Sequence, residues 1–212
     1  MRELLVLAAL WCVCGLDGAS ARTSGQSRQW APDVIVIHAV GGPICAGGLV
    51  VFDEIPSRED DAMFWRHEIE NNPVIGIHYV IGRNGDVETS IPTSEVANHT
   101  VGFNARAIGI ELVDRGDGED PFNAKQIDAL VELLRSLRAQ YGIRVQNIVT
   151  HGDLDQRTCV CAGAPYRRRV DPGANFPIEE IRRRIALPGD VLGGQTLIPL
   201  MGPAPESACA TR

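Results

Sequence analysis

The chain has 212 residues, 44% of them hydrophobic and 22% charged, with a formal net charge of −7. That composition is ordinary for a globular protein and excludes a collagen, a mostly disordered chain and a disulfide-dense miniprotein. The acidic balance argues against a nucleic-acid binder, which would carry a basic field. The length suits a single domain plus ends, large enough to bury about 70% of its unfolded surface without staples.

In chain order, the first residues read as a targeting segment. Arg2 precedes an apolar run from Leu4 to Val13, and a small-residue stretch ends in Ala19-Ser20-Ala21. This is the pattern of a secretory signal with an A-x-A cleavage site, and the run is too short to span a bilayer. Trp11 and Val13 precede Cys12 and Cys14, so no lipid anchor is expected. Residues 1–21 are expected to be a signal peptide and 22–186 one folded domain. Residues 187–212, with Gly193-Gly194, Pro199, Pro203 and Pro205, are expected to be a flexible tail whose few apolar residues could dock on the domain.

Val34-Ile35-Val36-Ile37 is β-branched without alternation and predicts a strand buried on both faces, ending at His38. A helix is predicted over 62–70. Strands over 75–81 and 87–91 flank Asn84-Gly85, a strong hairpin signal. Ala107 to Val113 is an apolar strand carrying one charge, Glu111. Asn123 can cap a helix, with Gln126 at the capping-box position. Ile127, Leu130, Val131, Leu134, Leu137 and Tyr141 follow helical spacing to a stop at Gly142. A short strand over 147–150 ends at His151, and a last helix is predicted over 178–185. The fold expected is α/β: a single domain with a central mixed sheet flanked by helices.

Two histidines, His38 and His151, stand at the ends of buried strands, where open sheets place their sites. Alone, each is more often a hydrogen-bonded structural residue, and Asp171 in Val170-Asp171-Pro172-Gly173 alone reads as a turn aspartate. Together, two imidazoles and one carboxylate are a common catalytic zinc set with a fourth position for water. Glu111 is either a solvent-facing strand residue or a general base beside a metal-bound water, on the face opposite Ile110 and Leu112.

These segments resemble the zinc-dependent N-acetylmuramoyl-L-alanine amidases, the amidase-2 family, related to peptidoglycan recognition proteins and phage lysozyme-type amidases. Ile35-Val36-Ile37-His38 resembles the first metal motif. Gly76 to Ile81 with Arg83 to Val87 resembles the hairpin. Val96-Ala97-Asn98-His99-Thr100-Val101-Gly102 resembles an A-x-H-x-G segment one residue longer before its glycine. Asn104, followed by Ala107 to Leu112, resembles the N-x-x-SIGIE strand. Thr150-His151-Gly152-Asp153, then Val170 to Gly173 with Phe176-Pro177, resembles the closing motif. The resemblance runs from about Val34 to Ile185.

What the resemblance implies is a zinc ion held by His38, His151 and Asp171, with Glu111 catalytic. His99 is implied as substrate-binding or as a support behind the ligands, and Asn104 as substrate-binding. Asp153 is expected to hydrogen-bond near His151; His67 and His78 are left structural. Arg169 stands where the family has a lysine; it keeps the charge but cannot release a proton. His151 and Asp171 are farther apart than in the short family form, and the added loop carries Cys159 and Cys161. If that loop and the one after His38 meet at the metal, Cys45 can pair with Cys159 or Cys161. A thiolate in place of Asp171 is the rival ligand. Cys209 has no obvious partner.

The reaction implied is hydrolysis of the amide between N-acetylmuramic acid and L-alanine of the stem peptide, with Zn2+ as cofactor. The alternative is a non-catalytic peptidoglycan-binding module of the same fold. No H-E-x-x-H helix or G-x-S-x-G elbow supports another hydrolase. The expected partners are peptidoglycan or muropeptide fragments, with no nucleic acid, no membrane after signal cleavage, and a monomeric state. The expected location is periplasmic or secreted.

Overall fold

The structure is a computed structural model that describes residues 26–192 and 198. The segment expected to be a signal peptide, Cys12, Cys14 and Cys209 lie outside the described residues, as does most of the expected tail. The elements in chain order are β1 (Gln26–Ser27), β2 (Val34–Ala39), β3 (Pro43–Ala46), β4 (Leu49–Phe52), α1 (Ala62–Asn71), β5 (Tyr79–Ile81), β6 (Val87–Thr89) and β7 (Glu95–Val96). They continue with β8 (Ala107–Leu112), α2 (Ala124–Tyr141), β9 (Ile148–Thr150), α3 (His151–Leu154), β10 (Thr158–Cys161), β11 (Ala164–Arg167) and α4 (Ile178–Ile185).

The mixed sheet has the order β6-β5-β8-β2-β9, parallel except for the edge strand β6. The β-branched run of β2 sits inside the sheet, between β8 and β9, and is buried along its whole length. Alternation divides its neighbours. Ile35, Ile37, Ile108, Ile110 and Leu112 face α2 and α4, where Leu130, Leu134 and Ile181 complete the main core. Val34, Val36, Ala107 and Val149 face the other way, with Phe103, Leu154 and Ile198. Ile198 thus places one residue of the C-terminal stretch against the domain. Helix α1 packs at the β5–β6 end, burying Ala62 and Ile69 with Ile77, Val80 and Val113.

Helix α2 begins where expected: the Asn123 side chain accepts from the Gln126 amide. The capping box is not completed. The buried Gln126 carboxamide instead donates to the Ile81 and Val113 carbonyls at the ends of β5 and beyond β8. The Ile81 carbonyl already accepts from the Val113 amide, so Gln126 adds a second donor there and a side-chain donor at the Val113 carbonyl. Gly142 ends the helix in the left-handed conformation that favours glycine.

Two hairpins go beyond the elements expected from sequence, β3–β4 and β10–β11. They are joined by a disulfide between Cys45 and Cys161, which selects Cys161 of the two alternatives. Cys159 is also disulfide-bonded. The twenty-residue interval from His151 to Asp171 is filled by α3 and the β10–β11 hairpin.

Candidate active site

Parallel strands β2, β8 and β9 end on one side of the sheet, and the candidate site lies just beyond those ends. His38 is the fifth residue of β2, Glu111 the fifth of β8, and His151 follows β9 directly. His38 and Glu111 are register partners, so both side chains leave the sheet on the same face, opposite Ile110 and Leu112. Asp171 arrives from the segment after the β10–β11 hairpin. Its carbonyl accepts from the Gly152 amide at 2.8 Å. A Cβ at Gly152 would stand 3.1 Å from the Val170 carbonyl oxygen, so a glycine there lets the two segments close up.

Among the described residues, His38, His151 and Asp171 form the one group with metal-ligand geometry. His38 Nδ1 lies 3.0 Å from His151 Nδ1. Asp171 Oδ2 lies 3.0 Å from His151 Nδ1 and 3.3 Å from His38 Nδ1. An ion with bonds of about 2.0–2.1 Å in tetrahedral geometry separates its ligands by about 3.3 Å. The three atoms therefore stand close to three corners of such a site. The chemistry of the set agrees. Burial, with His151 next in weight, pushes the His38 imidazole down to about 4, so it is neutral and has a lone pair to give. Burial works to raise Asp171, but contacts with His151 and His38 outweigh it and hold the carboxyl below its ordinary range. Two imidazole nitrogens and a carboxylate oxygen converging on one buried point suit a divalent cation.

Glu111 faces the same point. Burial, reinforced by the nearby Asp171 charge, pushes its carboxyl well above the ordinary value. Its Oε2 is buried without a hydrogen-bond partner among the described residues. An unpaired buried carboxylate oxygen in a cleft is a feature of a group that receives or delivers a proton.

The cleft has a volume of about 330 Å³. Val40, Ile55, Trp65, Ile69, Ile75 and Ile77 give it an apolar wall, and Arg168 and Arg169 contribute positive charge. Arg169 is near enough to press the His38 pKa down. His99 also lines the cleft and touches His38, with Nδ1 3.0 Å from His38 Nε2.

Of the residues expected from sequence, His38, Glu111, His151, Asp171, Arg169 and His99 are brought together here. Asn104 is not among the cleft-lining residues. Its side-chain oxygen accepts from the His99 and Thr100 amides, and its Nδ2 donates to Asn98, so it shapes the loop that carries His99. Asp153 does not take the place expected near His151. The Thr150 hydroxyl accepts from the Asp153 amide at the start of α3, and the Asp153 side chain is exposed. The buried acid of this region is Asp155, held by Arg157 and electrostatically coupled to His151. His78 is fully buried, accepting from the Gly109 amide, and His67 is exposed on α1.

Three contributors escaped sequence reading. Arg28 donates to the carbonyls of Thr93, Asn104, Ala105 and Ala107, tying the N-terminal segment to the loop before β8. Nothing in its polar surroundings marks it. Thr100 and Trp65 were also unsignalled, and only the place of Thr100 beside His99 could have drawn attention to it.

A family model described as N-acetylmuramoyl-L-alanine amidase matches residues 27–174. The endolysin of Klebsiella phage KP32 is 33% identical over 89 residues, 40% of this chain and 58% of the endolysin. N-acetylmuramoyl-L-alanine amidase AmiD of Escherichia coli (strain K12) is 31% identical over 109 residues, 44% of this chain and 36% of AmiD. The chain thus spans little more than half the length of these curated relatives at most. Among solved structures, N-acetylmuramoyl-L-alanine amidase LysC from Clostridium intestinale URNW superposes with a TM-score of 0.51 at 25% identity. That superposition covers 79% of this chain and 94% of LysC.

Proposed function

The chain belongs to the N-acetylmuramoyl-L-alanine amidase family, and from that premise we propose that it hydrolyses the amide joining N-acetylmuramic acid to L-alanine in peptidoglycan stem peptides. The observation that carries this reading is the convergence of His38, His151 and Asp171 on one buried point faced by Glu111. These three residues would hold a zinc ion through two Nδ1 atoms and one carboxylate oxygen. When bound, zinc supplies Lewis acidity, acidifying a water and polarising the scissile carbonyl.

The other roles belong to the chain's own groups. Glu111 takes the proton of the attacking water on its buried carboxylate and returns it to the departing alanine nitrogen. Burial favours the protonated form of this carboxyl, which suits a group that must hold a proton between the two transfers. Arg169 holds charge toward the carbonyl oxygen as that oxygen becomes negative. As a permanent cation it acts by charge and hydrogen bonding, with no proton to transfer. The apolar wall of Trp65, Ile69, Ile75 and Ile77 accommodates the lactyl and alanine methyl groups and excludes bulk water.

The N-terminal signal pattern supports export, and a wall-lytic or wall-recycling enzyme acts outside the cytoplasm. Among the described residues no helix is long and apolar enough to cross a membrane. The proposal takes residues 1–21 as a removed signal, 22–186 as the catalytic domain, and the working form as a periplasmic or secreted monomer. A second reading, a binding module without turnover, rests on Arg169 in the family's lysine position. Incubation of a defined muropeptide with the purified chain separates the two. Release of free stem peptide, lost with a chelator and restored by zinc, supports the amidase. An uncut muropeptide in a zinc-loaded sample supports the binding module.

A further inference from the structure

We propose that His99 and Thr100 form a positioning pair that locks His38 in the tautomer able to ligate through Nδ1, with Gly109 providing the clearance. The inference deepens the metal reading of the site and rests on it. A neutral imidazole carries one proton. If His38 Nδ1 is to offer a lone pair toward His151 and Asp171, the proton must sit on Nε2 and needs an acceptor there.

Two acceptors stand within reach of that nitrogen. His99 Nδ1 is 3.0 Å away and the Thr100 hydroxyl 3.3 Å. The rest of the network agrees on direction. His99 Nε2 faces the Ala107 carbonyl at 3.4 Å, an oxygen that can only accept, so the His99 proton belongs on Nε2 and Nδ1 is left as an acceptor. The Thr100 hydroxyl lies 3.0 Å from His99 Nδ1 and can donate to it while accepting from His38. The chain then runs from the Ala107 carbonyl through His99 to His38, either directly or by way of the Thr100 hydroxyl, because the single lone pair of His99 Nδ1 takes one donor at a time. The reverse tautomer of His38 would put a proton at the point where the three ligand atoms converge.

The backbone is shaped for this contact. The His99 and His38 rings meet edge to face, with centroids 5.1 Å apart and planes at 90°. A Cβ at Gly109 would fall 2.7 Å from His99 Cγ and 2.5 Å from Ile77 Cδ1. A glycine between Ala107 and Glu111 on this face is what allows the His99 ring to lie over β8. Asn104 fixes the loop from the other side by accepting from the backbone amides of both His99 and Thr100. His99 is therefore assigned to holding a ligand, where the sequence alone left it between that and substrate binding.

The test measures zinc affinity by competition with a chromophoric chelator, using the purified full chain, and needs no turnover. His99→Phe keeps a ring but removes the acceptor, and Thr100→Val is nearly isosteric and removes the hydroxyl. Loss of such a support typically weakens a metal site by about 10- to 100-fold. The expected result is a weakening of that order for His99→Phe and a smaller one for Thr100→Val, with His99→Gln recovering part of the loss through its amide oxygen. In parallel, nitrogen-15 NMR of the imidazoles in the zinc-free chain reports the His38 tautomer, expected as Nε2–H in the parent and mixed in His99→Phe. If the parent binds zinc stoichiometrically and the folded variants match it in affinity and tautomer, the positioning role is overturned while the metal site stands. If the parent binds no zinc, the metal reading fails and takes this inference with it.

Discussion

His38 and Glu111 are paired residues on adjacent parallel strands, so the first metal-ligand candidate and the proposed base are fixed to one another by the sheet itself. Adjacent strands lie about 4.8 Å apart, and a shift of one residue in register would turn one of the two side chains to the helix-covered face. Replacing Glu111 by Gln keeps the shape and removes the base. The expected outcome is full zinc occupancy with a rate lowered by about 10²- to 10⁴-fold. Metal analysis alongside turnover on a defined muropeptide checks this, and full turnover by Glu111→Gln contradicts it.

Arg169 gives a separable prediction. If it acts through charge, Arg169→Lys retains most activity, and Arg169→Met loses about 10²- to 10³-fold, the usual scale for one oxyanion-stabilising group. Measuring kcat and KM separately decides where the loss falls. A fall in kcat is expected; a change confined to KM would move Arg169 to substrate binding.

How much of this was legible beforehand follows from burial and length. The β-branched run before His38 and the apolar run around Glu111 mark central strands because both faces are buried, and their ends located the site. The hairpin strands at 43–46 and 158–161 were not legible, because burial alternates along them while apolar residues fill the buried and the less buried positions alike, as with exposed Val160 between buried Cys159 and Cys161. Gly47-Gly48, both at positive φ, was a usable turn signal for the first. Ala162, at a φ of 46°, hides the second turn behind a residue that rarely adopts that conformation. Asp153 and Asp155 show another limit. Both follow His151 within four residues, and it is Asp155, held by Arg157, that is buried while Asp153 is exposed.

The Cys45–Cys161 bond joins the β3–β4 and β10–β11 hairpins across a sequence separation of 116 residues. Replacing both cysteines with serine is expected to cost about 2–5 kcal/mol, as removal of a native disulfide does. For a domain of this size each kcal/mol lowers Tm by about 2–4 °C. Thermal unfolding of the double variant and of the parent checks this. Equal Tm values would mean that the two hairpins hold their places without the bond.

Asp114, fully buried just past β8, makes stability pH-dependent. Burial raises its carboxyl to about 7 from an ordinary 3.8, with the Gly116 amide and Arg83 opposing and Asp120 and Asp117 assisting. Between those values the folded chain keeps a proton that the unfolded chain has lost, so this group's contribution to stability falls as pH rises and levels off above about 7. Asp114→Asn removes that dependence and can still accept from the Gly116 amide. Its Tm is expected to match the parent at about pH 4 and to exceed it increasingly up to about pH 7. Parallel Tm curves across that range would contradict the assignment.

The most direct test of the central claim is to digest a defined muropeptide in oxygen-18 water and weigh the products. Amide hydrolysis between muramic acid and L-alanine must place one heavy oxygen on the lactyl carboxylate of the sugar fragment and none on the stem peptide, whose new terminus is an amine. That labelling, abolished by a chelator, is the predicted result. A heavy oxygen on the peptide, on an anomeric carbon, or nowhere would contradict the account.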